Sequence, residues 1–185
     1  MRADFYDALL AEPATVLGCR LRPLCVGHVA LLEAIESPLV TGKPCYLADL
    51  LIAVGICERM FEDGVVWLRT LDRQSREFKK WGKKINPLTY QEAMTVFDDY
   101  LSSGHKTPPL KKESTQASKF PNTLCLASGL MRYCRFTESQ AWNTPFALAS
   151  WYLLAAAGAD DAVQSDNEQK VRAFLKQRSQ PVGAN

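Results

Sequence analysis

The chain has few of the residues and none of the motifs that recur in well-known enzyme families. Only two histidines, His28 and His105, occur in 185 residues. The signatures of P-loop and dinucleotide binding, of zinc proteases and of α/β-hydrolases are all missing. Adjacent acids at 98–99 and 160–161 point to different sides of a helix, so they do not form an opposed carboxylate pair. We therefore predict no catalytic residues, no cofactor and no enzymatic activity.

The chain also lacks a C-x-x-C pair, although it contains six cysteines. Their spacing is irregular, and Cys57 lies in an apolar helix pattern where a thiol behaves as a small hydrophobic group. We expect reduced thiols in a cytoplasm. Cys19, Cys25 and His28 are part of a possible zinc-ligand set, but a fourth ligand at a suitable spacing is missing, so we predict no metal. We expect His28 to be a structural residue, as a lone histidine at the start of an apolar helix usually is, and we assign no thiol–base pair with Cys25 because a three-residue spacing is common by chance.

Long apolar runs and a strong net charge are missing as well. The longest weakly charged segment, Pro145 to Ala159, has about 15 residues, whereas a membrane-spanning helix needs about 20. Residues 1–7 carry acids where a secretory signal needs a basic stretch. The net charge of +2 does not identify a nucleic-acid-binding protein, which would need a local basic patch. We therefore expect a cytoplasmic protein without a membrane span.

Apolar residues at helical spacing fill most of the chain. This pattern predicts an all-α or nearly all-α fold, a compact bundle of about six to eight helices in a single domain over residues 1–185. Residues 15–21 have a β-branched start and no helical period, which predicts one short extended segment or hairpin. The predicted helices lie near 4–10, 24–35, 46–60, 62–73, 88–101, 123–133, 145–157 and 166–178.

Basic residues recur at helical spacing after residue 68. If the region is one continuous helix, steps of four and three residues place five of them on one face: Arg69, Arg73, Arg76, Lys80 and Lys83. A solvated helix face explains this pattern, and so does a contact surface for an acidic protein or a phosphate backbone.

The segment 102–122 is rich in Ser, Thr, Lys, Gly and Pro, which predicts a mobile basic loop. A simple tether and a segment that folds on a partner are both consistent with this composition.

The predicted helix that begins at Pro145 is apolar on all sides, with Phe146, Trp151 and Tyr152 among its large residues. Such a helix is either central to the core or completed by an oligomer or a client protein.

Two stretches carry a family resemblance. The run Leu24 to Pro38, followed by Leu50 to Cys57, resembles the N-terminal helices of small proteins from tailed-phage and prophage morphogenesis clusters. The run Ala141 to Ala149, continuing to Tyr152 and the alanines, is similar to the C-terminal helix of tail assembly chaperones. Together they cover around a third of the chain. The resemblance implies a mostly helical, non-enzymatic protein that binds the tape measure protein or tail tube subunits during assembly.

Our leading hypothesis is therefore an assembly chaperone that shields a helical client. Phe146, Trp151 and Tyr152 would form its apolar contact surface, with basic side chains at the rim. The partner is a protein client or a second copy of the chain. Two alternatives stay open: a nucleic-acid-associated protein that uses the basic residues at 69–83, and a helical enzyme whose site joins residues distant in sequence.

Overall fold

Helices form most of the structure, a computed structural model that describes residues 13–72, 78–80, 83, 87–105 and 121–156. The predicted all-α fold class is confirmed, with one small antiparallel hairpin of β1 (Thr15–Val16) and β2 (Cys19–Arg20). Residues 78–80 are helical as well. The longer helical elements are α1 (Val26–Ala34), α2 (Pro38–Thr41), α3 (Leu47–Cys57), α4 (Phe61–Thr70), α5 (Pro87–Gly104), α6 (Asn122–Tyr133), α7 (Glu138–Asn143) and α8 (Phe146–Ala156).

The extended segment that the sequence predicted contains both arms of the hairpin. Thr15 pairs with Arg20 and Val16 with Cys19, which leaves a two-residue connection. Both connecting residues, Leu17 and Gly18, have positive φ angles of 53° and 80°. This is the geometry of a type I′ turn, whose twist matches that of the two strands.

Helix α3 lies at the centre of the core. All its residues from Leu50 to Cys57 are buried, because apolar side chains and small residues cover its whole circumference. It packs against α1, α2 and α4, while α1 also contacts α6, α7 and α8. Helix α5 adds a buried stripe of Ala93, Phe97 and Leu101.

The beginnings of α1 and α8 are joined by backbone pairing. Cys25 and Pro145 form an isolated antiparallel bridge. The Val26 N–H donates to the Thr144 carbonyl at 3.0 Å, and the Phe146 N–H donates to the Leu24 carbonyl at 2.7 Å. These bonds satisfy backbone donors that a helix start leaves without an intrahelical acceptor. They also place the apolar α8 next to the core from its first turn.

Three boundaries differ from the sequence prediction, the first being that α4 ends at Thr70 and not near residue 73. Helix α2 forms where a loop was expected, because Pro38 suits the first turn of a helix and Gly42, with φ 69°, ends it. Helix α5 continues to Gly104, so residues 102–104 of the expected loop are helical. Residues 106–120, like the helices predicted at 4–10 and 166–178, lie outside the described residues.

Candidate functional site

The first turn of α8 belongs to the core. Phe146 is only 5% exposed and its ring lies 4.8 Å from the His105 ring. Ala147, Leu148 and Ala149 are buried as well. The assignment of Phe146 to a client-facing surface is therefore wrong, because the bridge between the two helix starts draws this residue inward.

The distal half of α8, residues 150–156, is less buried than the first turn, although Tyr152 and Leu153 still pack against the core. Trp151 and Tyr152 are partly exposed, and so is Leu154. No charged residue occurs between Phe146 and Ala156. An uncharged helix whose outer half is partly in contact with water has the composition of a protein interface core.

Two contacts hold the distal half of α8 against α6. A methyl group added at Gly129 would lie 2.9 Å from Leu153 Cδ2, so the helices approach closely here and a larger residue would require the Leu153 side chain to shift. The Tyr152 ring meets Phe136 edge-on, with centroids 5.7 Å apart. Phe136 reaches this position because Arg135 turns the chain with a φ of 60° and the Phe136 N–H donates to the Leu130 carbonyl at 3.3 Å.

Helix α6 carries its own exposed apolar groups. Leu124 is 40% exposed and Tyr133 is 59% exposed. The Arg132 guanidinium lies over the Tyr133 ring, 5.3 Å from its centroid. One basic side chain, Arg132, therefore lies beside the exposed Tyr133 ring on α6, the helix against which α8 packs.

The continuous helix that would place the five basic residues on one face is interrupted after Thr70. Arg69 is exposed in the last turn of α4, but α4 ends at Thr70 and Leu71 is extended, with ψ 111°. The Thr70 hydroxyl donates to the carbonyls of Val66 and Trp67, and Leu71 packs against the core. Arg69 therefore shares no helix with Lys80 and Lys83, which are exposed farther along. Arg73 and Arg76 lie outside the described residues.

His28 is structural, as predicted. Its side chain is 1% exposed, and both ring nitrogens are bonded to backbone. Nε2 donates to the Arg59 carbonyl at 2.8 Å, and Nδ1 accepts from the Cys25 N–H at 3.3 Å, which identifies the neutral tautomer with the proton on Nε2. Burial lowers the pKa of His28 below its ordinary value, and the bond to Arg59 only partly opposes this.

The thiols near His28 are not activated. Burial raises the pKa of Cys25 to about 11 and that of Cys19 also to about 11, with the Glu58 carboxylate adding to the shift at Cys19. Burial likewise raises the pKa of Cys57. A thiolate is the form that attacks substrates and binds metals, so these cysteines are poorly suited to either task. Among the described residues, no group of three or more His, Cys, Asp or Glu side chains has the arrangement of a metal site.

A pocket that the sequence did not indicate lies between α1, α2 and α5. Its volume is about 410 Å³, and Glu33, Asp98 and His105 line it together with apolar residues. Asp98 and His105 are seven residues apart on α5, a spacing that places them on one helix face. That spacing could have shown that Asp98 and His105 lie together. The position of Glu33 in the pocket depends on how α1 packs against α5, and no local sequence pattern reveals this packing.

The described surface therefore offers two distinct features, the uncharged distal half of α8 and the pocket beside His105. None of the described helices combines the length and apolar character needed to cross a bilayer. No protein-family model matches the chain, and no curated protein and no solved structure is significantly similar to it.

Proposed function

We propose that this protein is a non-enzymatic interaction protein of the phage tail assembly chaperone kind, which binds a helical structural client such as a tape measure protein. The observation that carries the proposal is the position of α8. An entirely uncharged helix begins in the core and continues into a half where Trp151, Tyr152 and Leu154 are partly exposed.

The environment of this half-helix supports a protein partner. Aromatic and aliphatic side chains at the centre, with arginines near them, are the composition found at protein interfaces. Trp151 and Tyr152 supply large apolar areas, while Arg132 and Arg135 lie at or just beyond the end of α6. Contact with an apolar client face would remove this surface from water, which is the main driving force of association.

The proposal is tested by co-expression of the protein with its client and measurement of soluble client. A client is obtained by purifying the tagged protein from cells that carry its native gene neighbourhood, with a nuclease-treated sample beside it. We expect Trp151→Ala and Leu154→Asp to abolish most of the soluble client. Val66→Asp is the matched control, because Val66 is 60% exposed on α4, away from α8.

The circular dichroism spectrum and melting temperature of each variant establish whether it is folded. A folded Trp151→Ala or Leu154→Asp variant with unchanged client yield would remove the distal half of α8 from the binding surface. Partners that disappear after nuclease treatment would instead favour the nucleic-acid alternative, whose affinity falls steeply with salt.

A further inference from the structure

The pocket beside His105 has a floor of aliphatic side chains. Helices α1, α2 and α5 contribute it, with residues Val29, Leu39, Val40 and Leu101. The cavity volume of about 410 Å³ lies within the range of about 300–1,000 Å³ that is usual for small-ligand sites. An aliphatic ligand portion of several carbon atoms therefore has both the space and the apolar contacts that it needs.

Two carboxylates from different helices line the same cavity. Glu33 comes from α1 and Asp98 from α5. The Thr123 hydroxyl donates to Glu33 Oε2 at 2.8 Å, and Thr123 is itself 3% exposed, so this carboxylate is held in place by a buried group. Within the described part of the chain, ion pairs join Lys43 with Glu36 and Arg59 with Glu58, and neither pocket carboxylate has a cationic partner.

His105 adds a hydrogen-bond acceptor to the same lining. Its Nδ1 lies 2.7 Å from the Leu101 carbonyl, and because a carbonyl only accepts, Nδ1 carries the proton. Nε2 of the neutral ring is then an acceptor. The Phe146 ring packs against the imidazole at 4.8 Å and restricts its orientation. The polar residues of the lining are thus two carboxylates, the Ser102 hydroxyl and the His105 imidazole, and the carboxylates favour a donor with positive charge.

We propose that this pocket binds an alkylammonium or alkylguanidinium group. The aliphatic portion of the ligand lies on the aliphatic floor of the pocket, and the cation lies between Glu33, Asp98 and His105. Such a group has the two properties that the lining requires, an apolar stem and a charged head with several N–H donors. A metal ion is a poor candidate for this pocket, since no group of three or more His, Cys, Asp or Glu side chains among the described residues has the geometry of a metal site. The site is independent of the client surface on α8.

The direct test is a titration of the full-length protein with 1-pentylamine, followed by NMR of the His105 ring protons and of the methyl groups of Leu101 and Val29. We expect saturable shifts confined to these groups. Asp98→Asn and Glu33→Gln should each weaken binding by about three- to tenfold, since each removes one charge from the cation's surroundings. Glutamine at position 33 still accepts from Thr123, which keeps the local structure.

Two controls distinguish charge recognition from nonspecific apolar binding. Glu36→Gln removes a surface carboxylate outside the pocket, whose partner is Lys43 at 3.9 Å, and should leave the affinity unchanged. The neutral analogue 1-pentanol should bind at least about tenfold more weakly than the amine. The proposal is overturned if the amine produces no saturable shifts, if the alcohol binds equally well, or if the pocket variants bind like the unaltered protein.

A second titration identifies the source of the cation. N-acetyl-lysine N-methylamide presents the same ammonium group on a peptide-like backbone. If it binds as well as pentylamine, the pocket accepts a basic side chain from another protein; if only pentylamine binds, the ligand is a free amine. Failure of both compounds contradicts the proposed chemistry itself. Client binding by the distal half of α8 is unaffected by either result.

Discussion

At the scale of single residues, two glycines mark places where the core permits no additional atom. A Cβ at Gly27 would lie 2.5 Å from the Phe61 ring. A Cβ at Gly55 would lie 2.7 and 2.9 Å from Cζ2 and Cζ3 of Trp67, and Cη2 is closer still. An indole ring is rigid and cannot yield as the end of a flexible side chain does. These contacts explain why glycine occupies the middle of α3, where its helix propensity is unfavourable.

We predict that Gly55→Ala lowers the free energy of unfolding by about 1–3 kcal/mol, because overpacking against Trp67 outweighs the better helix propensity of alanine. Gly64→Ala in α4 is the matched control. Its new methyl group would meet only the Leu31 Cδ1 atom, at 3.0 Å, which can move by a few tenths of an ångström. Urea denaturation of both variants should place Gly64→Ala within about 0.5 kcal/mol of the unaltered protein. Equal losses in the two variants would contradict the role of Trp67.

His28 makes the stability depend on pH. Its folded-state pKa is lowered from the ordinary value of 6.5, chiefly by burial. Above pH 6.5 the ring is neutral in both states, whereas below it the unfolded chain takes up a proton that the folded chain resists. We therefore expect the free energy of unfolding to fall as the pH decreases from about 6.5 toward 5. Urea denaturation at several pH values measures this.

The variant His28→Gln separates this effect from other titrations. Glutamine does not ionise, and its amide keeps a donor for the Arg59 carbonyl, so the decline between pH 6.5 and 5 should become smaller. The carboxyl of Glu62 has a pKa lowered by hydrogen bonds from Ser139 and Asn143, so its contribution is lost only below its ordinary value of 4.5. An unchanged slope in His28→Gln would show that another group causes the pH dependence.

At the scale of helices, sequence periodicity located the centres of the elements better than their ends. The helices predicted near 46–60 and 88–101 are present as α3 and α5, and the buried side of α5 consists of Ala93, Phe97 and Leu101. The end of α4 at Thr70 was not predicted, because Leu71 continues the apolar pattern but leaves the helix to pack against the core. In α6 the predicted apolar residues divide: Leu130 is buried, while Leu124 and Tyr133 remain exposed. Periodicity does not reveal which side of a helix its neighbours cover.

The start of α4 depends on a residue more than 80 positions away. Asn143, at the end of α7, accepts from the Phe61 N–H at 2.9 Å and donates to Glu62 Oε2 at 3.0 Å. Met60, at the N-cap position, makes no side-chain capping bond. Asn143 therefore performs the task of a capping residue from another helix. This interaction could not be predicted from local sequence.

We predict that Asn143→Ala lowers the free energy of unfolding by about 1–2 kcal/mol, the usual cost of losing a helix cap. Thermal and urea denaturation measure the loss. Asn122→Ala is a suitable control, since Asn122 is exposed at the first residue of α6 and its removal should cost less than about 0.5 kcal/mol. A stability of Asn143→Ala equal to that of the control would exclude the capping role.

At the scale of the whole molecule, the buried thiols report on cooperative opening. Cys57 is 0% exposed in the middle of the structure, and Cys25 is 3% exposed at the start of α1. A labelling reagent reaches them only when the surrounding helices separate. Cys25 immediately precedes α1, and Cys57 is the last residue of α3. Because these two helices pack against each other in one core, the accessibility of the two thiols should change together.

We therefore expect Cys25 and Cys57 to be labelled slowly in native buffer, at rates that rise in parallel with urea concentration. Mass spectrometry of peptides after timed labelling gives both rates. The exposed thiol of Cys125 should react much faster and with little dependence on urea. Rapid labelling of Cys25 while Cys57 stays protected would instead show that the start of α1 opens locally.

The bridge between Cys25 and Pro145 has a consequence for the newly made chain. Its partners are 120 residues apart in sequence. At a synthesis rate of about 5–20 residues per second, roughly 6 to 24 s pass between their incorporation. Throughout this interval the apolar side of α1 has no α8 to cover it, and α1 cannot complete its own packing. The nascent chain therefore exposes apolar surface of α1 to water until the residues of α8 have been synthesised.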